Sequence, residues 1–182
     1  APGGNVFSAI PNGAYEQTSG TSMATPQMAG ISAIVLQRVQ SDPLFASMSV
    51  REKVDVVQNL IMGTARPLTD AAQDSGVLYS PRKQGSGLVD ALAATTSSVY
   101  PTVGGAPEVS RPKADLGDGT KGWHFDVVLH NLSDAEATYE LSSQALSEIV
   151  DGGFFTEHSL DWRGRGVAVS YSGAASGAGE GA

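Results

Sequence analysis

The segment Ser19–Pro26 reads Ser-Gly-Thr-Ser-Met-Ala-Thr-Pro and opens an apolar stretch of the chain. A serine hydroxyl is a weak nucleophile at neutral pH and needs a base to take its proton. A helix start supplies free backbone N–H groups and a partial positive charge, and both favour the oxyanion that forms when a carbonyl carbon is attacked. The segment therefore predicts nucleophilic catalysis by Ser22, with its own backbone N–H as an oxyanion donor.

The residues beside Ser22 fit the same chemistry. We predict that Gly20, Thr21 and Ser22 together bind the substrate and the oxyanion, because a glycine at position 20 allows a close backbone approach. Ala24 and Thr25 are small and leave room for a substrate backbone. A Gly-Thr-Ser string alone is more typical of an unreactive helix-capping serine, so the prediction depends on the longer string.

A buried helix is predicted to carry this serine. From Ser22 to Val39 the apolar residues lie nearly all round a helix, which is typical of a helix enclosed by the protein. Pro26 is expected in the first helical turn, because a deeper proline would break the helix. Before the motif, the short apolar run Val6–Ile10 lies between Gly, Pro and Asn residues and predicts strand and loop structure.

Two further helices are predicted after the first. Ser49 and Glu52 form a capping-box pattern, and the helix that they begin should end near Gly63. Residues 64–89 are rich in Gly and Pro and are expected to form loops. A short helix is predicted over Val89–Ser97.

Beyond the Pro-containing segment Pro101–Pro112, which is interpreted as a linker or domain edge, the apolar period changes from helical to alternating. The alternation predicts a strand over residues 123–130 with one buried face. A turn at Asn131–Asp134 and a partner strand at Thr138–Leu141 are predicted to follow.

Charge and composition exclude several functional classes. The net charge is −8, of which −1 falls in residues 1–103 and −7 in residues 104–182. The acidic second half would repel nucleic-acid phosphates, so no nucleic-acid partner is expected. The chain has no cysteine, which excludes disulfides, thiol catalysis and Cys-ligated metals. The sequence has no apolar run of about 18 residues, so no membrane span is predicted.

Four segments resemble the subtilisin-like serine peptidases, or subtilases. Ser19–Gly30 resembles their nucleophile motif, with Ser22 as the reactive serine, and Ala1–Val6 resembles the segment that leads toward it. Tyr79–Ala91 resembles the end of the catalytic domain in the large bacterial cell-envelope proteinases of the lactocepin type. Phe125–Tyr139 resembles the fibronectin type III-like domain that follows in those enzymes.

The resemblance implies an α/β subtilisin-like catalytic domain, of which this chain carries the C-terminal part, followed by a truncated all-β fibronectin type III-like sandwich. Residues 1–103 correspond to the catalytic segment and residues 104–172 to the N-terminal part of the fibronectin-like domain. Residues 173–182 contain only Gly, Ala, Ser and Glu, and we expect them to form a disordered tail.

The mechanism implied by the resemblance is acyl-enzyme formation on Ser22, with a His as general base and an Asp that orients it. Only the serine of this triad matches. The three histidines, His124, His130 and His158, lie in the second half, and the first two are expected to face solvent on their strand. The Asn that usually completes the oxyanion hole has no match either, and Gln27 stands where many subtilases carry His.

We therefore expect serine endopeptidase activity in the parent protein, where an upstream catalytic segment completes the site, and no turnover by this chain alone. The alternative is a non-catalytic cell-surface binding or spacer module with an idle serine motif. A peptide or protein substrate is the implied partner. The implied location is outside the cell or attached to the cell wall of a bacterium.

No cofactor is evident, and no metal-ligating pattern is found. Asp70 with Asp74, and Asp115 with Asp118, are too sparsely placed for a calcium loop and are interpreted as turns. The resemblance to subtilases still leaves room for a structural calcium ion in the parent protein.

Overall fold

The computed structural model describes residues 1–73, 76–104, 111–117 and 122–173. These residues form two compact units, one from Ala1–Leu68 with Gln84–Thr138, the other from Thr69–Lys83 with the described residues from Tyr139 onward. Residues 105–110, half of the predicted linker, and the predicted tail beyond residue 173 lie outside the described residues, and the start of the predicted linker belongs to the strand Val99–Val103. No helix in the described part of the chain has both the length and the apolar character needed to cross a membrane.

Helices dominate the first half of the chain and strands the second. In chain order the elements are β1 (Val6–Ile10), β2 (Ala14–Thr18), α1 (Thr21–Ser41), α2 (Val50–Gly63), α3 (Pro81–Gln84), α4 (Ala91–Thr96), β3 (Val99–Val103), β4 (Val127–Asn131), β5 (Leu146–Asp151) and β6 (Phe154–Asp161).

An antiparallel hairpin leads directly into α1. β1 pairs with β2 so that Val6 lies opposite Thr18, and a tight turn at Pro11–Gly13 joins them. Asn12 and Gly13 adopt φ values of 68° and 71°, which favour asparagine and glycine. The predicted strand at Val6–Ile10 is thus confirmed, and its partner strand delivers the chain to Ser19.

The helix predicted from Ser22 to Val39 is confirmed as α1, but two expectations about it were wrong. Only Val35 and Val39 are fully buried, and Ala33 and Ile34 lie exposed on another face. The described residues therefore cover one face of α1 and leave apolar residues on another face exposed. Pro26 lies inside the helix, in its second turn.

The capping box predicted for α2 is present. Ser49 Oγ accepts from the Glu52 N–H, and the Glu52 carboxylate accepts from the Ser49 N–H at 2.7 Å. The helix ends at Gly63, as predicted. α4 forms within the predicted range and is capped by Asp90, which accepts from the Ala93 N–H at 2.9 Å.

The core of the first unit lies between α1, α2, α4 and β3. Its fully or nearly buried apolar members are Val35, Val39, Phe45, Val56, Val57, Leu60, Ala94 and Tyr100. Arg38 of α1 fastens α4 to this core by donating to the carbonyls of Ala94 (3.0 Å) and Ser97 (2.6 Å). A guanidinium in this place satisfies two carbonyls at the end of a helix.

The strand predicted over residues 123–130 is shorter and pairs differently from the prediction. β4 covers Val127–Asn131 and pairs antiparallel with β3, whereas residues 138–141 form no strand. Its predicted buried face is also wrong, since Val127 and Leu129 are 54% and 40% exposed. The predicted turn at Asn131–Asp134 is confirmed by the Ser133 N–H bond to Asn131 Oδ1 (3.0 Å).

The second unit is built on the hairpin of β5 and β6, which turns at Gly152 and Gly153 with positive φ values. The segment 69–83 packs on this hairpin. Asp70, whose side chain is fully buried, accepts hydrogen bonds from the Ser159 N–H (2.9 Å) and the Ala72 N–H (3.1 Å). Two parts of the chain that are distant in sequence thus meet at one buried carboxylate.

Candidate active site

Ser22 is the second residue of α1, directly after the turn that leaves β2. It is exposed, and neither its Oγ nor its backbone N–H is hydrogen-bonded to any residue that the structure describes. Gly20 and Thr21 are exposed beside it. Because the first N–H groups of a helix have no partner within the helix, the N–H of Ser22 is available to a developing oxyanion.

Three hydrogen bonds hold the segment Pro2–Asn5 against the turn before Ser22. They join the Gly20 N–H to the Gly3 carbonyl (2.7 Å), the Asn5 N–H to Ser19 Oγ (2.9 Å) and Gln27 Nε2 to the Pro2 carbonyl (2.9 Å). Two of them anchor the turn itself, and the third anchors the helix one turn beyond the serine. The start of this chain therefore fixes the backbone that presents Ser22.

The tightest backbone contact at the turn before Ser22 lies at Gly3. A Cβ added to Gly3 would lie 2.6 Å from the Gly20 carbonyl oxygen, whereas one added to Gly20 would meet nothing nearer than Met23 Sδ at 3.8 Å. Packing therefore requires a glycine at position 3, in the segment that holds the turn. This contact joins residues 17 positions apart, so the local sequence around Gly20 could not reveal it.

Pro26 marks a second local feature of the site. Proline has no N–H, so the helical hydrogen bond that residue 26 would donate to the carbonyl of Ser22 cannot form. The expectation of a first-turn proline was wrong, because Pro26 lies one turn later, where Ser22 and Pro26 are both exposed. The backbone of Ser22 therefore presents a carbonyl without a helical partner as well as a free N–H.

Each of the three histidines has its own surroundings. His130 stacks on Tyr100 with ring centroids 4.5 Å apart, and its Nε2 lies 2.9 Å from Thr102 Oγ1. The expectation that His130 faces solvent was wrong, because pairing of β4 with β3 places it across from Tyr100; burial lowers its pKa. His124 is exposed, as predicted, with its side chain 86% accessible.

His158 belongs to a cluster that sequence reasoning missed. Its Nδ1 lies 3.2 Å from Asp70 Oδ1, and Ser159 Oγ accepts from the Ser80 N–H at 2.8 Å. Desolvation alone would raise the pKa of Asp70, but the hydrogen bonds from Ser159, Ala72 and His158 together lower it. A carboxylate is therefore held ionised inside the second unit, 88 positions from the imidazole that it faces.

Metal ligation was tested against the same geometry. The described residues contain no group of three or more His, Asp or Glu side chains that could hold a metal ion. Asp70 is committed to the hydrogen bonds of its cluster, and Asp115 accepts from the Gly117 N–H at 3.2 Å, as in a turn. Asp74 and Asp118, the other halves of the two pairs considered from sequence, lie outside the described residues.

Comparison with known proteins matches this site to a peptidase family. Residues 1–87, which include the hairpin, the turn and the whole of α1, match the subtilase family. This part of the chain belongs to the subtilase family. The match contains Ser22 in its exposed turn and the segment Pro2–Asn5 that holds the turn.

Individual proteins are similar to this chain over a longer range than the family match. The chain is 30% identical to the C5a peptidase of Streptococcus pyogenes serotype M1 over 155 residues, or 85% of this chain and 12% of that protein. It is 34% identical to the PII-type proteinase of Lactococcus lactis subsp. cremoris over 149 residues, or 79% of this chain and 8% of that protein. The chain thus spans about a tenth of the length of these relatives.

Proposed function

We propose that Ser22 is the nucleophile of a serine endopeptidase that cleaves peptide bonds of protein substrates outside the bacterial cell. The observation that carries the proposal is the free Oγ and free N–H of Ser22 at the exposed start of α1, in a region of subtilase sequence. In this mechanism Ser22 Oγ attacks the scissile carbonyl and forms an acyl-enzyme, while the N–H groups at the helix start, with Gly20 and Thr21, bind the oxyanion and substrate.

The general base and its orienting Asp are proposed to come from a segment outside this sequence. Two observations support this: the chain spans only a tenth of its relatives, and each described histidine lies with partners other than Ser22. Loss of triad members in subtilisin lowers kcat by about 10⁶-fold. We therefore expect no peptidase turnover above background from this chain by itself.

Residues 1–103 are proposed to complete a subtilisin-like α/β domain, and residues 104–172 to begin a fibronectin type III-like sandwich. The three elements β4, β5 and β6, all of them strands, support an all-β character for the described residues after 104. A structural calcium ion and attachment to the cell wall remain proposals for the parent protein, based on the resemblance alone.

A second candidate function is a non-catalytic binding or spacer module with an idle serine. The same observation on the histidines favours it, because their polar partners are Thr102, Asp70 and Asp126.

Labelling with a fluorophosphonate probe, read by intact mass, tests both functions. The samples are this chain, the chain joined to the upstream segment of its parent, and Ser22→Ala in each. Ser41→Ala, at the other end of α1, is the matched control.

Labelling only with the upstream segment, lost in Ser22→Ala and kept in Ser41→Ala, supports the peptidase. Labelling of the chain alone would show that a base lies within these residues. No labelling in any folded sample would favour the idle module.

A further inference from the structure

A cavity of about 310 Å³ lies in the second unit, between the end of β6 and the segment 69–83. Polar side chains line most of the cavity. Those with long polar or charged side chains are Gln73, Gln144, Asp161, Arg163 and Arg165. A cavity of this size accommodates one side chain or the last residue of a chain, and falls short of a folded partner.

A tight turn presents the two arginines to this cavity. The carbonyl of Trp162 accepts hydrogen bonds from the Arg165 N–H (2.9 Å) and the Val167 N–H (3.3 Å). The intervening Gly164 and Gly166 have φ values of 73° and 104°, which glycine adopts without strain. The turn is therefore fixed by its backbone, and the arginine side chains need not hold it together.

Most polar groups of the cavity already have partners. The Arg163 guanidinium binds Asp161, with Nε 2.8 Å from Oδ2, and this bond holds the pKa of Asp161 at about 2. The Gln144 amide accepts from the Leu78 N–H and donates to the Gly76 carbonyl. The Gln73 amide donates to the Ser159 carbonyl at 3.3 Å.

Arg165 is the exception. Its guanidinium makes no hydrogen bond or ion pair with any residue that the structure describes. Arg163 and Arg165 are also the only Lys or Arg residues after Lys121, in the strongly acidic part of the sequence. An exposed cation without an ionic partner at a polar cavity offers its planar N–H groups to an anion, and a carboxylate matches their geometry in two parallel hydrogen bonds.

We propose that this cavity binds a peptide carboxylate through the Arg165 guanidinium, separately from the chemistry at Ser22. The carboxylate can come from an acidic side chain or from a chain terminus, since both present the same two oxygens. The Asp161 carboxylate compensates the charge of Arg163, so Arg165 supplies the net positive charge of the cavity. The proposal does not depend on Ser22 being a nucleophile.

NMR titration of the whole chain with three short peptides tests the proposal at about 0.15 M salt, where distant charges are screened. Acetyl-Gly-Glu-Gly-amide offers a side-chain carboxylate, acetyl-Gly-Gly-Ala offers a terminal carboxylate, and acetyl-Gly-Gly-Ala-amide offers none. The reporters are the Arg165 side-chain Nε–Hε and the backbone N–H of Gly164 and Gly166. We expect saturable shifts in the millimolar range with at least one acidic peptide and none with the neutral one.

Three variants make the test specific. Arg165→Gln should weaken binding of the acidic peptide by about tenfold or more. Arg165→Lys keeps the charge but loses the planar guanidinium, so its affinity should lie between those of the parent chain and Arg165→Gln. Arg82→Gln is the matched control, because Arg82 lies in the same unit with its side chain 74% exposed and does not line the cavity. Shifts that do not saturate, that persist in Arg165→Gln, or that are lost equally in Arg82→Gln would overturn the proposal.

Discussion

The N–H of Gly20 donates a 2.7 Å hydrogen bond to the carbonyl of Gly3, and this bond joins the first residues of the chain to the turn before Ser22. A Cβ on Gly3 would lie 2.6 Å from the Gly20 carbonyl oxygen, so position 3 has no room for a side chain. A nucleophile must be held within a fraction of an ångström of its working position. The pair Gly3–Gly20 thus links the packing of a loop to the placement of the serine.

Gly3→Ala should therefore disturb the turn, while the neighbouring Gly4→Ala should not. The Cβ at position 3 would lie 2.6 Å from a backbone oxygen, whereas a Cβ at position 4 meets nothing within 4 Å. We expect Gly3→Ala to lower the free energy of unfolding by about 1–3 kcal/mol and to shift the amide resonances of Gly20 and Ser22. Equal effects of the two variants in chemical denaturation and NMR would contradict this account.

Two helical glycines should respond to alanine with opposite signs. A Cβ on Gly63, at the end of α2, would lie 2.4 Å from Cδ of Pro101 in β3, but a Cβ on Gly30 in α1 would find open space. Gly30→Ala should raise the free energy of unfolding by about 0.5–1 kcal/mol through helix propensity. Gly63→Ala should lower it, and urea denaturation that shows stabilisation by both would disprove the contact with Pro101.

Phe45 and Leu44 form a matched pair for testing the core. Phe45 is fully buried, whereas Leu44 beside it is 53% exposed. Phe45→Ala should cost about 3–5 kcal/mol of unfolding free energy, because it removes a large side chain and leaves a cavity. Leu44→Ala should cost less than about 1 kcal/mol in the same denaturation experiment. Similar losses in the two variants would show that the core is not centred where the structure places it.

His130 should make stability depend on pH. Burial lowers the pKa of His130, so the folded state favours the neutral imidazole. Below a pH of about 6.5, the ordinary pKa of an imidazole, the unfolded chain binds a proton at this position more readily than the folded chain does. The free energy of unfolding that the neutral His130 contributes is therefore lost as pH falls.

The test compares His130→Gln with the parent chain. The variant should reduce the rise in unfolding free energy between pH 5 and pH 7. His124→Gln, at an 86% exposed side chain, is the control and should leave that rise unchanged. An unaltered pH profile in His130→Gln would refute the assignment.

The helices of this chain could be predicted from sequence because their signals are local. The capping pair Ser49 and Glu52, the stop at Gly63 and the apolar run after Ser22 each act within a few residues, and all three appear in the structure. Exposure of the Ser22 turn follows from the same short motif. The position of Pro26 was mispredicted because it lies one turn later, where Ser22 and Pro26 are both exposed.

Long-range pairing explains what could not be predicted. β4 pairs with β3, which precedes it by more than twenty residues and contains Pro101, a residue that argues against a strand. The Gly3 contact with Gly20, the stacking of His130 on Tyr100 and the burial of Asp70 are likewise set by residues far apart in sequence. The periodicity and spacing of residues in the sequence do not identify such long-range partners.

The burial of Asp70 has a consequence for the order of synthesis. Its hydrogen-bond donor, the Ser159 N–H, lies 89 residues later, so a growing chain carries Asp70 without that partner until the end of β6 has left the ribosome. The segment 69–83 lies between helices that can form from local interactions, but the segment itself packs on the hairpin of β5 and β6, which is synthesised later. Translation thus completes α2 and α4 before the segment 69–83, which lies between them in the chain, can reach its final place.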